Sequence, residues 1–106
     1  MLTTDLVIEK VAEQGGITLT LDGDIDAYTF VQLQQEIHGL LERGFKLIRL
    51  DLSGVRCLTS SGAGVLINAH GEADCRDAKL ILLRPSRNVR EVLDILGLAP
   101  LFWIEK

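Results

Sequence analysis

Long apolar runs are missing from this chain. No stretch approaches the roughly 18 apolar residues of a membrane-spanning helix, so no passage through a bilayer and no membrane partner is expected. Cysteine is scarce: Cys57 and Cys75 are the only two, and their spacing matches no C-x-x-C metal or redox pattern. They read as small thiols, buried or half-buried, left unpaired in a reducing compartment. Positive charge is not in excess either. Eleven Lys and Arg against 15 Asp and Glu leave a formal charge of −4, which gives no electrostatic footprint for nucleic acid. No charge run is long enough to serve as an interaction tail. The opening MLTTDLVIEK carries acid early and lacks a long apolar block, so no export signal is expected and the cytoplasm is the simplest compartment.

What is present is an ordinary globular composition, 47% hydrophobic and 25% charged over 106 residues. That length bounds the chain to one domain, 1–106, with one core. Leu6 to Val11 is apolar enough for a first strand, and Gln14-Gly15-Gly16 reads as a turn. Ile17, Leu19 and Leu21 alternate with Thr18, Thr20 and Asp22, a strand period, so the two runs predict an antiparallel hairpin that Gly23 ends. Asp26 is a good N-cap for a helix beginning near Ala27. Phe30, Leu33, Ile37, Leu40 and Leu41 form its apolar stripe, and Gly44 closes it.

The stretch from Lys46 to His70 organises the rest. Leu47 to Leu52 lacks strict alternation, as a strand covered on both faces does. Ser53-Gly54 reads as the turn that ends it. A short run, Val55 to Leu58, leads to Thr59-Ser60-Ser61-Gly62. Behind these hydroxyls comes a helical pattern with Ala63, Leu66, Ile67 and His70 on one face, running to about Asp77. Leu80 to Leu83 predicts a fourth strand, stopped by Pro85-Ser86, with Ser86 available as a cap. Val89, Val92, Leu93 and Leu96 predict a third helix closed by Gly97, and Leu101 to Ile104 a short last strand. The order β-β-α-β-α-β-α-β implies an α/β fold: a mixed central sheet of about five strands with helices packed on it, its later units parallel crossovers.

Catalytic chemistry finds few candidates. A serine nucleophile needs a base within hydrogen-bond reach. The histidines are His38, on the polar side of the first helix, and His70, roughly 15 Å along the axis from Ser60 in ideal helix geometry. There is no G-x-S-x-G elbow. Gly62-x-Gly64 lacks the rest of a phosphate-binding G-x-x-x-x-G-K-[ST] loop. No catalytic residue, metal ligand or cofactor is expected. On local chemistry alone, Thr59 or Ser60 is the cap that a helix start prefers.

The same residues carry a resemblance. Asp51-x-Ser53-x(5)-Thr59-Ser60-Ser61-Gly62-x-Gly64-Val65-Leu66 resembles the signature of STAS domains, the anti-sigma factor antagonists of bacteria. The family pattern is a strand ending in D-x-S, then D-S-S-G-L-G at a helix start. Thr59 stands here where the family has Asp, and Ala63 where it has Leu. The resemblance implies that Ser60 is the phosphorylated residue, with Thr59 and Ser61 the runners-up. It implies that Gly23-Asp24-Ile25-Asp26 lies beside the switch. The expected partner-binding surface is therefore Asp24, Asp26 and the loop Thr59, Ser60, Ser61, Gly62, Ala63 and Gly64. The bland reading of Asp26 is a helix cap and of Asp24 a solvated carboxylate. The function implied is a binding module rather than an enzyme. It docks an anti-sigma factor kinase, releases a sigma factor and is switched off by phosphorylation, with a phosphatase if the switch reverses. The alternative is a non-switching scaffold or an accessory protein of lipid transport.

Overall fold

The computed structural model describes residues 6–13 and 15–106. Strand β1 (Val7–Glu13) pairs antiparallel with β2 (Gly16–Ile25). Helix α1 (Phe30–Glu42) leads to the long strand β3 (Leu47–Leu58), then come α2 (Ser60–Cys75), β4 (Lys79–Leu83), α3 (Arg87–Ile95), a 3₁₀ turn (Ala99–Leu101) and β5 (Trp103–Glu105). The sheet order is β1-β2-β3-β4-β5, parallel everywhere except at β1. The expected order and mixed sheet are thus the observed ones. Each parallel crossover steps in the same direction across the sheet, so the right-handed rule places α1 and α2 on one face, where they pack side by side. Leu19, Leu50 and Leu82 of the sheet, Leu33 of α1, Leu66 of α2 and Leu93 of α3 join one apolar cluster. Gly44 and Gly97, both with positive φ, follow α1 and α3 as expected, and the Ser86 hydroxyl caps α3 by accepting from Val89 N. Among the described residues no helix is long and apolar enough to cross a membrane.

Several boundaries differ, and the causes are physical. Ser53-Gly54 does not end β3, and Gly23 does not end β2. The pairing register shifts between Thr20 and Asp22 and again between Gly23 and Asp24, with the extra residues on β3. These are bulges, which use the same residue types as turns. Gly23 adopts φ 127°, and a Cβ on Gly54 would stand 2.8 Å from the Leu21 carbonyl oxygen. The two glycines bend the strand pair and prolong it. Gly15 takes the turn conformation, Gly16 already belongs to β2, and Gln14 lies outside the described residues.

Helix α1 starts at Phe30 rather than near Ala27, because Asp26 caps a separate turn over 27–29. Helix α2 ends at Cys75, before Asp77. Its buried side is Ala63, Val65, Leu66, Ala69 and Ala73; Ile67, expected inside, is 40% exposed. The last strand begins at Trp103, since Pro100 sits in the 3₁₀ turn ahead of it. Both cysteines are free, but they are exposed rather than buried: Cys57 points outward from the end of β3 and Cys75 from the end of α2. A thiol reagent should therefore count two reactive cysteines in the native protein, and a count below two would contradict this placement.

The D-x-S motif in β3 has a structural office. Asp51 is 6% exposed. Its Oδ1 accepts from the Ser53 backbone N–H at 3.0 Å and from Ser53 Oγ at 2.7 Å, and Arg84 Nη2 donates to Oδ2. Arg84 directly follows β4, whose Leu83 pairs with Asp51, and its φ of 46° turns the chain there. Burial pushes the Asp51 carboxyl up, but the two Ser53 bonds and the Arg84 guanidinium more than offset this and hold it below the usual value of 3.8. A depressed folded pKa means stability that is present above the unfolded value and lost as pH falls through the folded one. Asp51→Asn should cost about 1–3 kcal/mol at neutral pH. The gap to wild type should narrow in denaturant unfolding below about pH 4. A gap that does not change with pH would contradict the assignment.

Candidate functional site

The loop of hydroxyls is built where two parallel strands end together. Asp24 stands beside Cys57 and Ile25 beside Leu58 in the β2–β3 register. The ladder gains one more rung after the strand: Thr59 N–H donates to the Ile25 carbonyl at 3.0 Å. The chain then turns into α2. Thr59 is the N-cap, with extended backbone and its Oγ1 accepting from Gly62 N–H at 3.3 Å. The same hydroxyl lies 3.3 Å from the Ile25 carbonyl oxygen, to which it donates. The two readings left open by local chemistry are thereby separated. Thr59 does the capping.

Ser60 is the first helical residue and Ser61 the second, both exposed. Neither hydroxyl has a hydrogen-bond partner among the described residues. Gly62 and Ala63, by contrast, turn inward. A Cβ on Gly62 would stand 2.5 Å from the Ile25 carbonyl oxygen and 2.8 Å from Leu58 Cδ1. Ala63 is 2% exposed. Gly64 is half-buried, with nothing within 4 Å of an added Cβ. Of the small residues, Gly64 is the one that leaves open space outside the helix.

The acidic segment beside the loop is ordered by hydrogen bonds. Asp26 Oδ1 accepts from Tyr28 N–H at 2.8 Å and Thr29 N–H at 3.1 Å. Thr29, 4% exposed, donates its hydroxyl to the Asp24 carbonyl at 2.7 Å and accepts from Asp26 N–H at 3.0 Å. The Asp24 side chain is mostly covered rather than freely solvated, and Arg56 Nε approaches its Oδ1 at 3.5 Å. That oxygen is buried and makes no hydrogen bond of good geometry among the described residues. No pattern in the sequence marks Arg56 or Tyr28. Arg56 meets Asp24 only through the strand register. Tyr28, 91% exposed, sits in the turn before α1, within the span where the Asp26 cap predicts helix. The turn follows β2 and the serines follow the neighbouring β3, so both project from one end of the sheet.

The histidines are engaged elsewhere. His70 meets the Phe102 ring edge-on at 5.6 Å, and His38 lies 3.2 Å from Glu42 and 2.6 Å from Glu72. No group of metal-ligating side chains is assembled among the described residues. What the loop offers chemically is two unencumbered hydroxyls at a positive helix end, with two carboxylates on the adjoining segment.

The geometry separates the two glycines by experiment. Gly62→Ala drives a methyl into the Ile25 carbonyl and should cost about 1–3 kcal/mol in urea unfolding. Gly64→Ala meets open space and improves helix propensity, so it should be neutral or stabilising by up to about 1 kcal/mol. Equal effects at the two sites would contradict the packing described.

Known proteins share this fold. The STAS domain family matches residues 8–106. An anti-sigma-B factor antagonist of Staphylococcus epidermidis is 22% identical over 102 residues, covering 96% of this chain and 94% of its own. Among solved structures, the anti-sigma factor antagonist SpoIIAA in its unphosphorylated form superposes with a TM-score of 0.79 at 23% identity, covering 94% of this chain and 88% of that one. The Bacillus cell fate determinant SpoIIAA in its phosphorylated form superposes with a TM-score of 0.73, also at 23% identity, covering 95% and 90%. At that identity the superpositions establish a shared fold. With the family match spanning nearly the whole chain, on a sheet and serine loop of this order, the protein belongs to the STAS domain family.

Proposed function

We propose that this chain acts as one cytoplasmic domain, 1–106, and is an anti-sigma factor antagonist switched by phosphorylation of Ser60. The observation that carries the reading is the division of labour at the start of α2. Thr59 supplies the cap, and Ser60 is left exposed, its hydroxyl without a partner among the described residues. A kinase can transfer a phosphoryl group to the Ser60 hydroxyl without removing any interaction that holds the fold. Relatives named for anti-sigma factor antagonism support the choice of an anti-sigma factor as partner. In this reading the partner is itself a serine kinase using ATP. A phosphatase would reset the switch.

The electrostatics support a switch at the surface rather than in the fold. A phosphoryl group adds about −1.5 to −2 charges at neutral pH. At a helix N-terminus that charge is accepted by free N–H groups and the helix dipole. The cost falls on a partner that must desolvate the dianion beside Asp24 and Asp26. A penalty of ~1.4 kcal/mol is already tenfold in affinity. The docking surface comprises Asp24, Asp26, Thr59, Ser60, Ser61 and Gly64, with Gly62 and Ala63 shaping it from beneath.

Ser60→Ala should bind the anti-sigma factor and resist phosphorylation, and Ser60→Asp should bind at least about tenfold more weakly. Mass spectrometry after kinase treatment should place the phosphate on Ser60. Phosphate found only on Thr59 or Ser61, or a Ser60→Asp variant that binds like wild type, would refute the switch and favour a non-switching scaffold. Gly64→Arg should abolish binding while leaving the circular dichroism spectrum native. Normal binding by that variant would mean that the docking surface lies elsewhere.

A further inference from the structure

The sheet has two unlike faces. On one, all three helices join the apolar cluster. The alternate residues of each strand stand on the other face. The registers line them up in rows. One row runs Val11, Thr18, Arg49, Ile81 and Trp103 across all five strands. The row beside it holds Leu47 next to Lys79, with Glu13 at the β1 end. Two contacts confirm the side. Thr18 Oγ1 donates to Glu13 at 3.1 Å, and Lys79 Nζ lies 4.1 Å from the Trp103 ring centroid. Ile81 is 4% exposed yet lies outside the cluster that the helices share. Val11 and Trp103 are 53% and 58% exposed. No described helix covers this face.

We propose that this face binds a second copy of the chain, sheet against sheet, about a two-fold axis parallel to the strands and between β2 and β3. These two rows are self-complementary under that operation. β1 of one copy lies on β4 of the other and β2 on β3, so positions at one height along the strands meet. Glu13 then faces Lys79, and Val11 faces Ile81 with Trp103 alongside. Thr18 faces Arg49, so no like charges meet at that height. Each contact occurs twice, as an isologous interface requires. A two-fold axis across the strands instead lays β1 on β1 and sets carboxylates against carboxylates, which is repulsive. The patch is about four strands, or roughly 15–20 Å, wide, below the standard interface size. The dimer is therefore weak and reversible.

Sedimentation velocity on the whole chain, from about 1 μM to about 1 mM, should show a concentration-dependent monomer–dimer equilibrium. Trp103 is the only tryptophan, so its emission should shift to the blue as the dimer forms. Glu13→Lys and Lys79→Glu should each loosen the dimer by at least about tenfold, and the double exchange should restore it. Amide shifts on dilution should concentrate in β1, β2, β3 and β4, a readout that needs no variant. A monomer throughout the range would overturn the proposal. So would single variants that dimerise like wild type, a double exchange as dissociated as the singles, or dilution shifts on the helical face.

Discussion

One close approach governs the serine end of the molecule: the first turn of α2 against the Ile25 carbonyl. That oxygen receives the Thr59 N–H and the Thr59 hydroxyl, and it stands where a Cβ on residue 62 would have to go. Glycine at 62 lets the helix start directly on the end of the β2–β3 ladder. With the helix seated there, Thr59 falls into the cap position, and Ser60, one residue on, is carried outward. A larger residue at 62 would lift the helix start and uncouple the cap from the strand. The exposed serine is thus a consequence of interior packing one turn away.

The same strand pair sets the charge around the serine. The bulges that carry β2 past Gly23 and β3 past Gly54 extend the ladder to Asp24 and Leu58, beyond the point where a regular turn would have ended it. This extension brings Asp24 next to the residues leading into α2 and lets Arg56 approach it. Lower on β3, Asp51 and Arg84 tie the strand to the start of the β4–α3 connection. The two carboxylates have different offices: Asp51 is locked into the fold by Ser53 and Arg84, whereas Asp24, at the edge of the loop, keeps a buried oxygen without a hydrogen bond among the described residues.

Much of this was legible in the residues. Alternation in β2, the apolar stripes of α1 and α3, and the Gly and Ser punctuation led to the correct element order and mixed sheet. The D-x-S and S-S-G pattern located the loop. What was not legible has specific causes. A bulge and a turn draw on the same residues, so Gly23 and Ser53-Gly54 read as ends when they are bends. Val65 and Ile67 are both apolar, and the face that α2 buries is decided by the sheet beneath it. Asp26 caps a turn instead of a helix because Thr29 interposes its own hydrogen bonds. Asp24 with Arg56, and Asp51 with Arg84, are brought together by strand register or by a neighbouring strand's end, which no local pattern encodes. Within the loop, sequence named the residues, while the assignment of Thr59 to capping and of Gly62 to packing required the geometry.

The central claim is that charge on Ser60 changes what the surface can bind while leaving the fold beneath it intact. Calorimetric titration of the anti-sigma factor with separately purified unmodified and Ser60-phosphorylated protein, alongside thermal melts of the two forms, tests it most directly. The account predicts an affinity loss of at least about tenfold on phosphorylation, with melting temperatures within a few degrees of each other. Equal affinities, or a phosphorylated form that loses binding only because it has unfolded, would contradict it.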